Sequence, residues 1–483
     1  MHKCRRSRRA LPFVDQLDDR CLLSSFGQSH TAGYTPAQIT TAYGLNAITF
    51  TSPTGSTIKG DGSGETIALI EEFHDPKIQS DVKTFDAKYN LPNPSLTVVN
   101  QAGNQTNNSW ALEESMDVEY AHAIAPAASI LVIEAAPARS QTKELQDQLN
   151  AVNTARNTNG VVAISMSWGY GEMSNEAYYD TYFTTPSGHA GITFIASSGD
   201  FGDVEYPVAS PNVLSVGGTS LYLTSSGSYQ SETAWFYSGG GYSAYEPEPN
   251  YQRSVQTTGQ RATPDVAFDA DQSAGVEIYE TSPRSGTGSW QVYAGTSLGA
   301  PVWAGIIAVV DQGRALAGKG SLDGSTQTLP ALYALPTSDF HNVRPVLPFG
   351  GLSSLFGFLF GSGSDGTNAN TATGLGSPNG QPLVAGLVAS STTAGATSGS
   401  GQAGNSSTST IEPTKPIGDG SKQHPIFRHK HTTNRAKVRA SNVAGRRVFA
   451  LGSHFENLAP DLRRLAFKYS AAPLPWVTFR SIG

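Results

Sequence analysis

The sequence AGTSLGAPVWAGIIAVV occupies Ala294–Val310 and joins a run of small residues to a long apolar stretch. Pro301 suits the first turn of a helix, because proline lacks the N–H that an internal helical residue donates. Ser297 would then lie near a helix N-terminus, where free N–H groups and the helix dipole stabilise negative charge. An activated hydroxyl needs that setting, but serine is also a common helix cap. The segment alone leaves both interpretations of Ser297 open.

A second segment, SWALEESMDVEYAHAIAPAA at Ser109–Ala128, carries two acids one helical turn apart. Glu113 and Asp117 therefore project from the same helix face. Two carboxyl groups on a partly buried face repel each other when both are ionised, so one pKa is raised and that group can hold a proton. A solvated acidic face is the commoner explanation of such a pair, and it is our interpretation of the neighbouring Glu114 and Glu119.

Short apolar runs alternate with helix-like stretches between residue 33 and about residue 386, which indicates an α/β protein with a mostly parallel sheet. The predicted strands are Thr66–Phe73, Ser129–Glu134, Val161–Ser167, Ile192–Ser197, Leu214–Val216 and Pro264–Ala267. A helix is predicted at Ile78–Tyr89. Because the longer strands are apolar throughout, we expect helices on both faces of the sheet.

Segments of different composition flank this α/β region. Residues 1–32 form a basic leader, and LDDRCLLS at residues 17–24 resembles the leaders of bacterial surface and secreted proteins. We interpret it as an export segment, with a disordered basic tail as the alternative. Residues 387–412 have the Ser/Thr/Gly-rich composition of a flexible linker. Residues 413–483 are basic and predicted to be largely disordered, with an envelope-attachment segment as the alternative.

Composition narrows the class of function. Charged residues make up 15% of the chain and the net charge is -7, so no nucleic-acid partner is predicted. Cys4 and Cys21 both lie in the leader, which excludes cysteine catalysis and thiolate zinc sites from the body. No apolar run reaches the ~20 residues of a membrane span. The low charge content favours an extracellular or cell-envelope protein, and we expect a monomer.

The nucleophile segment resembles that of both subtilisins and sedolisins, and the catalytic base distinguishes the two. None of the 10 histidines lies in a context similar to that of the subtilisin histidine. The pair Glu113 and Asp117, followed by AHAIAPAA, resembles instead the sedolisins, also called serine-carboxyl peptidases. That resemblance implies a subtilisin-like fold. It also implies that Glu113 is the general base and acid toward Ser297, and that Asp117 orients Glu113 and shares its proton.

Three further site residues follow from the same resemblance. Asp200, in the segment SSGD, falls where sedolisins use a protonated Asp to donate a hydrogen bond to the oxyanion. Glu71 falls where some members carry a further acid, and Trp168 where a Trp lies beside the carboxylates. The implied activity is secreted endopeptidase hydrolysis of polypeptides through an acyl-enzyme, at acidic pH. The alternative is a catalytically inactive sedolisin-like domain with a binding or envelope role.

Two features depart from the family pattern. Sedolisins carry a long N-terminal prodomain, whereas GYTPAQ, which resembles the start of the mature domain, begins at Gly33, so no prodomain is expected. Sedolisins also bind one calcium ion through two Asp carboxylates, where Asn342 and Asn370 stand here. Calcium prefers charged oxygen ligands, so we expect this site to be weak or absent. No other cofactor is predicted.

Overall fold

The computed structural model describes residues 33–343 and 370–391. The predicted leader, the predicted C-terminal tail and most of the predicted linker lie outside the described residues. The last described helix ends at Ala389, so residue 386, where the α/β region was predicted to end, lies inside it. Within the described ranges, no helix combines the length and apolar character needed to cross a membrane.

The described helices are α1 (Pro36–Ala42), α2 (Ile78–Tyr89), α3 (Asn108–Ile124), α4 (Gln141–Arg156), α5 (Thr296–Leu316), α6 (Leu329–Ala334) and α7 (Gly380–Ala389). The central sheet contains β3 (Thr66–Glu72), β4 (Ser95–Asn100), β5 (Ser129–Ala135), β6 (Val161–Met166), β8 (Thr193–Ser197), β10 (Val213–Leu223), β11 (Tyr229–Ala234) and β14 (Val266–Asp269). Short antiparallel pairs join β1 (Thr49–Thr51) to β2 (Thr57–Lys59), β7 (Tyr170–Gly171) to β9 (Glu205–Tyr206), β12 (Gly241–Pro247) to β13 (Gln260–Thr263), β15 (Val276–Thr281) to β16 (Gly288–Tyr293), and β17 (Phe340–His341) to β18 (Ser377–Pro378).

The central sheet has the order β11-β10-β8-β6-β3-β5-β4, with β14 beside β10. Only β11 runs antiparallel to its neighbour, which confirms the predicted mostly parallel sheet. The prediction of a strand at Leu214–Val216 was too short, because β10 continues to Leu223 and pairs there with β11. The strand predicted at Pro264–Ala267 is shifted to β14, Val266–Asp269.

Helices cover both faces of this sheet, as the apolar strands predicted. Along β3, Ile67 and Leu69 pack in the apolar cluster that includes α3 and α5. The alternate residues Ala68 and Ile70 pack in a second cluster, which includes α4. Successive strand residues point to opposite faces, so the two clusters lie on opposite sides of the sheet.

Helix α5 begins earlier than the prediction of Pro301 in its first turn implied. It starts at Thr296, and Pro301 is inside the helix rather than in its first turn. Pro301 has no N–H to donate to the carbonyl of Ser297. That carbonyl accepts a hydrogen bond from Ser167 Oγ at 3.3 Å instead. Ser167 has one hydroxyl proton, which it shares between this carbonyl and Asp117 Oδ2 at 2.7 Å, so it replaces the missing helical hydrogen bond in part.

Helices α3 and α5 cross in close contact at a glycine. A Cβ atom on Gly305 of α5 would lie 2.8 Å from Cβ of Ile124 and 3.3 Å from the carbonyl oxygen of Ala121, both on α3. Protein cores are close-packed, so an extra methyl group there must displace one of the helices. This contact holds the helix that carries Glu113 and Asp117 against the helix that carries Ser297.

We expect Gly305→Ala to destabilise the protein by about 1 to 3 kcal/mol, the usual cost of overpacking a core, less the roughly 1 kcal/mol that alanine gains in helix propensity. Denaturant unfolding of the full chain measures the change. Gly320→Ala is the matched control, because a Cβ on Gly320 would meet nothing within 4 Å. Equal stability of the two variants would contradict the close contact.

Candidate active site

A cavity of about 400 Å³ lies at the carboxyl-terminal edge of the central sheet. Residues from α3, α4, the start of α5 and the loops after β6 and β8 line it. Ligand sites of open α/β sheets lie at this edge, where loops from neighbouring parallel strands meet. The cavity is therefore where the candidate site residues were expected to converge.

Ser297 and Glu113 meet in this cavity. Ser297 is the second residue of α5, and its side chain lies near the buried carboxyl of Glu113. Burial raises the pKa of Glu113 to about 7; the interactions with Ser297 and Tyr293 oppose this, and the charge on Asp200 adds to it. A carboxyl with that pKa can exchange a proton with the serine hydroxyl near neutral or mildly acidic pH.

Asp117 lies one turn further along α3, next to Glu71. Ser167 Oγ donates to Asp117 Oδ2 at 2.7 Å, and the carboxyl groups of Asp117 and Glu71 lie next to each other. Burial, together with the charges on Glu71 and Glu113, raises the pKa of Asp117 well above its usual range. Burial also raises the pKa of Glu71, assisted by Glu114. Two neighbouring buried carboxyl groups repel each other when both are ionised, so this pair holds a shared proton.

Asp200 lies beside the start of α5. Its Oδ1 accepts hydrogen bonds from the backbone N of Thr296 at 2.9 Å and from Thr296 Oγ1 at 2.7 Å. Its Oδ2 lies so close to Gly295 that a Cβ there would be 2.6 Å away, and Gly295 has a φ of +142° that also favours glycine. Burial raises the pKa of Asp200. Once protonated, Asp200 is a neutral donor in the cavity that Ser297 also lines.

Trp168 lines the cavity immediately after Ser167 and is 6% exposed. Its ring centroid lies 6.1 Å from that of Tyr170. The structure thus brings all six predicted site residues to one region: Asp117 and Glu71 lie near Glu113, and the cavity is lined by Glu113, Trp168, Asp200 and Ser297. Ser167, Tyr293 and Thr296 were not predicted. Of these, only Ser167 had a sequence signal, since it directly follows a buried strand.

The interpretation of Glu114 and Glu119 as a solvated acidic face was wrong. Their side chains are 1% and 0% exposed, because α3 is enclosed by the sheet, α5 and the β15–β16 pair. Glu119 accepts a hydrogen bond from the backbone N of Tyr279 at 3.1 Å. Burial raises the pKa of Glu114 well above its usual range, with the charges on Glu134 and Asp75 adding to it. Glu114 therefore extends the buried acid cluster instead of facing water.

No histidine is among the described residues that line the cavity. His122 Nε2 lies 2.6 Å from the carbonyl oxygen of Pro92, and His74 Nδ1 lies 2.8 Å from Glu134. Both histidines thus have structural partners. The base available to Ser297 within the described ranges is a carboxyl group.

The positions that correspond to the calcium ligands do not fit a cation. Asn342 is exposed, and Asn370 uses Oδ1 to accept from the backbone N of Ala372 at 3.0 Å. Asn370 Nδ2 donates to Thr373 Oγ1 at 2.6 Å. Within residues 33–343 and 370–391, no group of three or more His, Cys, Asp or Glu side chains could hold a metal ion. No chemical step is therefore assigned to calcium.

Comparison with known proteins agrees with this geometry. Residues 97–322 match the family described as the subtilase family, Peptidase_S8. The structure of Pseudomonas sedolisin, a serine-carboxyl proteinase complexed with two molecules of pseudo-iodotyrostatin, superposes with a TM-score of 0.59 at 26% identity, covering 75% of this chain and 98% of that one. The fold is thus the subtilisin-like α/β fold. Together these matches support the sedolisin family of the subtilisin-like clan.

Two curated relatives show how much of the family architecture the chain covers. Sedolisin of Pseudomonas sp. (strain 101) is 28% identical over 62% of this chain and 53% of its own length. Kumamolisin of Bacillus sp. (strain MN-32) is 30% identical over 75% of this chain and 65% of its own length. The chain therefore spans between about half and two thirds of the relatives it matches.

Stability should fall as pH rises, because many buried carboxyl groups have raised pKa values. The values are about 7 for Glu113, Asp75, Glu246 and Glu280, and about 8 for Glu72 and Glu176. In the unfolded chain such groups titrate near pH 4. Between about pH 4 and pH 8 the folded state thus binds more protons, and its stability decreases with pH.

We expect the Tm of the full chain to be lower at pH 8 than at pH 5 by roughly 5 °C or more, since ~1 kcal/mol moves the Tm of a large domain by a few degrees. Differential scanning calorimetry at constant ionic strength measures this difference in Tm. A Tm that is equal or higher at pH 8 would show that these groups do not hold their protons in the folded state.

Proposed function

We propose that this protein is a serine-carboxyl peptidase that hydrolyses peptide bonds through an acyl-enzyme on Ser297. The observation that carries the proposal is that Ser297 and the buried carboxyl of Glu113 line the same cavity and interact there. Asp200 beside Ser297 and the absence of histidine from the described cavity lining support it. Polypeptides are the proposed substrates.

In the proposed acylation step, ionised Glu113 accepts the proton of Ser297 as Oγ attacks the carbonyl carbon of the substrate. Negative charge develops on the carbonyl oxygen, and protonated Asp200 donates a hydrogen bond to it. The N-terminal end of α5 also favours this charge. Glu113 then transfers its proton to the leaving amine as the C–N bond breaks.

Deacylation reverses the proton transfers. A water molecule gives a proton to Glu113 as it attacks the acyl carbon, and Ser297 recovers its proton when the ester bond breaks. Throughout, the pair Asp117 and Glu71 keeps its shared proton. This limits the charge beside Glu113 and orients its carboxyl.

The protonation state that this mechanism needs favours acidic pH. Glu113 must be ionised while Asp200 and the pair Asp117 and Glu71 keep their protons. All of these protons are lost at alkaline pH, and ionised Asp200 would repel the oxyanion instead of stabilising it. We therefore propose a bell-shaped pH dependence, in which ionisation of Glu113 sets the acidic limb and loss of the Asp200 proton sets the alkaline limb. The resemblance to sedolisins favours an optimum in acid.

We also propose that the enzyme is an endopeptidase that works outside the cell or in the cell envelope, as a monomer. The low charge content and the leader composition support export. The alternative of an inactive binding or envelope domain is not supported by the comparisons, and it predicts no hydrolysis at any pH.

Hydrolysis of a denatured protein by the full chain from pH 3 to pH 8 tests the proposal. Wild-type activity should peak in acid, and Ser297→Ala should abolish it. Asp200→Ala should lower kcat by roughly 100- to 1000-fold, the usual effect of removing an oxyanion donor. Asp200→Asn keeps a neutral donor that cannot ionise, so its activity should decline less steeply on the alkaline side than that of the wild type.

The outcome that refutes the peptidase is a folded wild type without activity at any pH. Mass spectrometry of the products separates internal cleavage from stepwise release at a chain end. An alkaline limb that is identical in wild type and Asp200→Asn would remove Asp200 from the oxyanion role.

We further propose that the domain is stable without calcium, on the basis of Asn342 and Asn370 in place of acidic ligands. If calcium were bound at 100 times its Kd, its removal would cost about 2.7 kcal/mol of stability and lower the Tm by several degrees. Because we propose that no calcium is needed, adding a chelator should change the Tm of the full chain by less than about 2 °C. A calcium-dependent rise in Tm beyond that value would contradict it. Magnesium is the matched control for ionic effects.

A further inference from the structure

The cavity beside Ser297 is lined by acidic side chains, and no basic side chain among the described lining residues balances their charge. Its lining includes four carboxyl residues, Glu113, Glu144, Asp200 and Glu205. Among the described residues that line it there is no lysine, arginine or histidine. Glu113 is 9% exposed and its Oε1 has no hydrogen-bond partner in the described part of the chain. The cavity thus offers hydrogen-bond acceptors to a ligand, and the electrostatic potential of its carboxyl groups favours a positively charged group.

Two of the acids, Glu144 and Glu72, form a pair that the proposed mechanism does not use. Glu144 lies in the first turn of α4 and lines the cavity, while Glu72 ends β3 and is 4% exposed. Their carboxyl groups lie close together, and the charge on Glu144 adds to the raised pKa of Glu72. Gln148 Nε2 donates to Glu72 Oε2 at 3.3 Å, and the Tyr170 hydroxyl donates to Gln148 Oε1 at 2.7 Å.

The charged and titratable groups around this pair leave it without a cation of its own. Asp147 of α4 adds negative charge, and Tyr170 of β7 contributes a hydroxyl next to Glu144. Lys143 is bonded to Asp147, and its side chain is 63% exposed. A salt bridge that exposed is weak, so Lys143 does not neutralise the pair.

The pair lies within reach of a side chain held at Ser297. Ser167 contacts Asp117, and Tyr170 belongs to the network around Glu144. Ser167 and Tyr170 are three residues apart, so they span at most roughly 10 Å of main chain. Trp110, Phe201 and Tyr237 add aromatic surface to the same cavity. An apolar stem with a cationic end suits such surroundings, because aromatic faces attract cations and cover methylene groups.

We propose that this cavity binds a basic side chain of the substrate, arginine or lysine, with Glu144 as its direct partner and Glu72 behind it. The inference rests on the proposed function and adds the substrate class to it. Glu72 and Glu144 act here in binding and specificity, not in the bond-breaking steps.

The preference for a basic side chain should increase with pH. Burial and the charge on Glu144 raise the pKa of Glu72 to about 8, and burial raises that of Glu144. In acid the pair is protonated and attracts a cation weakly. A bound cation favours the ionised form, so binding of arginine releases a proton and strengthens as pH rises. A neutral side chain gains nothing from this ionisation.

Internally quenched peptides of one sequence test the inference when they differ at a single residue, arginine or its uncharged isostere citrulline. The kcat/KM of each is measured with the full chain at pH 4, 5.5 and 7, and mass spectrometry locates the cleaved bond. We expect the arginine-to-citrulline ratio of the wild type to reach roughly tenfold at the highest pH, the size of a charge-assisted hydrogen bond, and to fall towards 1 in acid.

Glu144→Gln should hold this ratio near 1 at every pH. Glu72→Gln removes the repulsion on Glu144, so the ratio should rise at lower pH than in the wild type. Asp203→Asn is the matched control: it removes one acidic charge from an exposed residue that does not line the cavity, and the ratio should not change.

The outcomes separate the inference from the proposed function. Efficient cleavage of both peptides with a ratio near 1 at all pH values overturns the basic preference and leaves the peptidase intact. Absence of any cleavage by wild type overturns the peptidase. Calorimetric binding of the two peptides to Ser297→Ala then still decides the inference, because equal affinities at pH 7 contradict it and tighter binding of arginine supports it.

Discussion

The site depends on the burial of several carboxyl groups without matching cations. Glu71, Glu113, Glu114 and Asp117 are all at most 9% exposed. Ionising every one of them in a low-dielectric interior is too costly, so the folded protein must retain protons there. Those shared protons give the site its chemistry, since a carboxyl that alternates between donor and acceptor can do the work of a histidine.

The fold makes this burial possible by enclosing α3. The helix packs on the sheet beside α5, and Gly305 of α5 lies directly against Ile124 of α3. The same contact sets the distance between the acids on α3 and Ser297 on α5. Ser167 adds a second connection, because its hydroxyl lies between Asp117 and the backbone carbonyl that Pro301 leaves without a helical partner. The same few contacts thus control both the position of the carboxyl groups on α3 relative to Ser297 and the protonation of those groups.

Much of this arrangement could be predicted from local sequence, and the rest required the third dimension. Apolar runs predicted most strands of the parallel sheet, and the spacing of Glu113 and Asp117 placed them on one helix face. The burial of Glu114 could not be predicted, because a helix enclosed on all sides has no solvated face for periodicity to reveal. The start of α5 was misplaced because the proline rule considers only backbone donors, whereas Ser167, distant in sequence, replaces the missing hydrogen bond in part.

The end of β3 places two consecutive glutamates on opposite faces of the sheet. Glu71 contacts Asp117 on the α3 side, and Glu72 contacts Glu144 and Gln148 on the α4 side. In the mechanism and specificity that we propose, the sheet separates reaction chemistry at Glu71 from side-chain selection at Glu72, although the two residues are adjacent in sequence. Under that proposal, substitutions at Glu72 change which sequences are cleaved without disturbing Glu71. That separation would allow substrate specificity to evolve in related proteins while the catalytic residues stay unchanged.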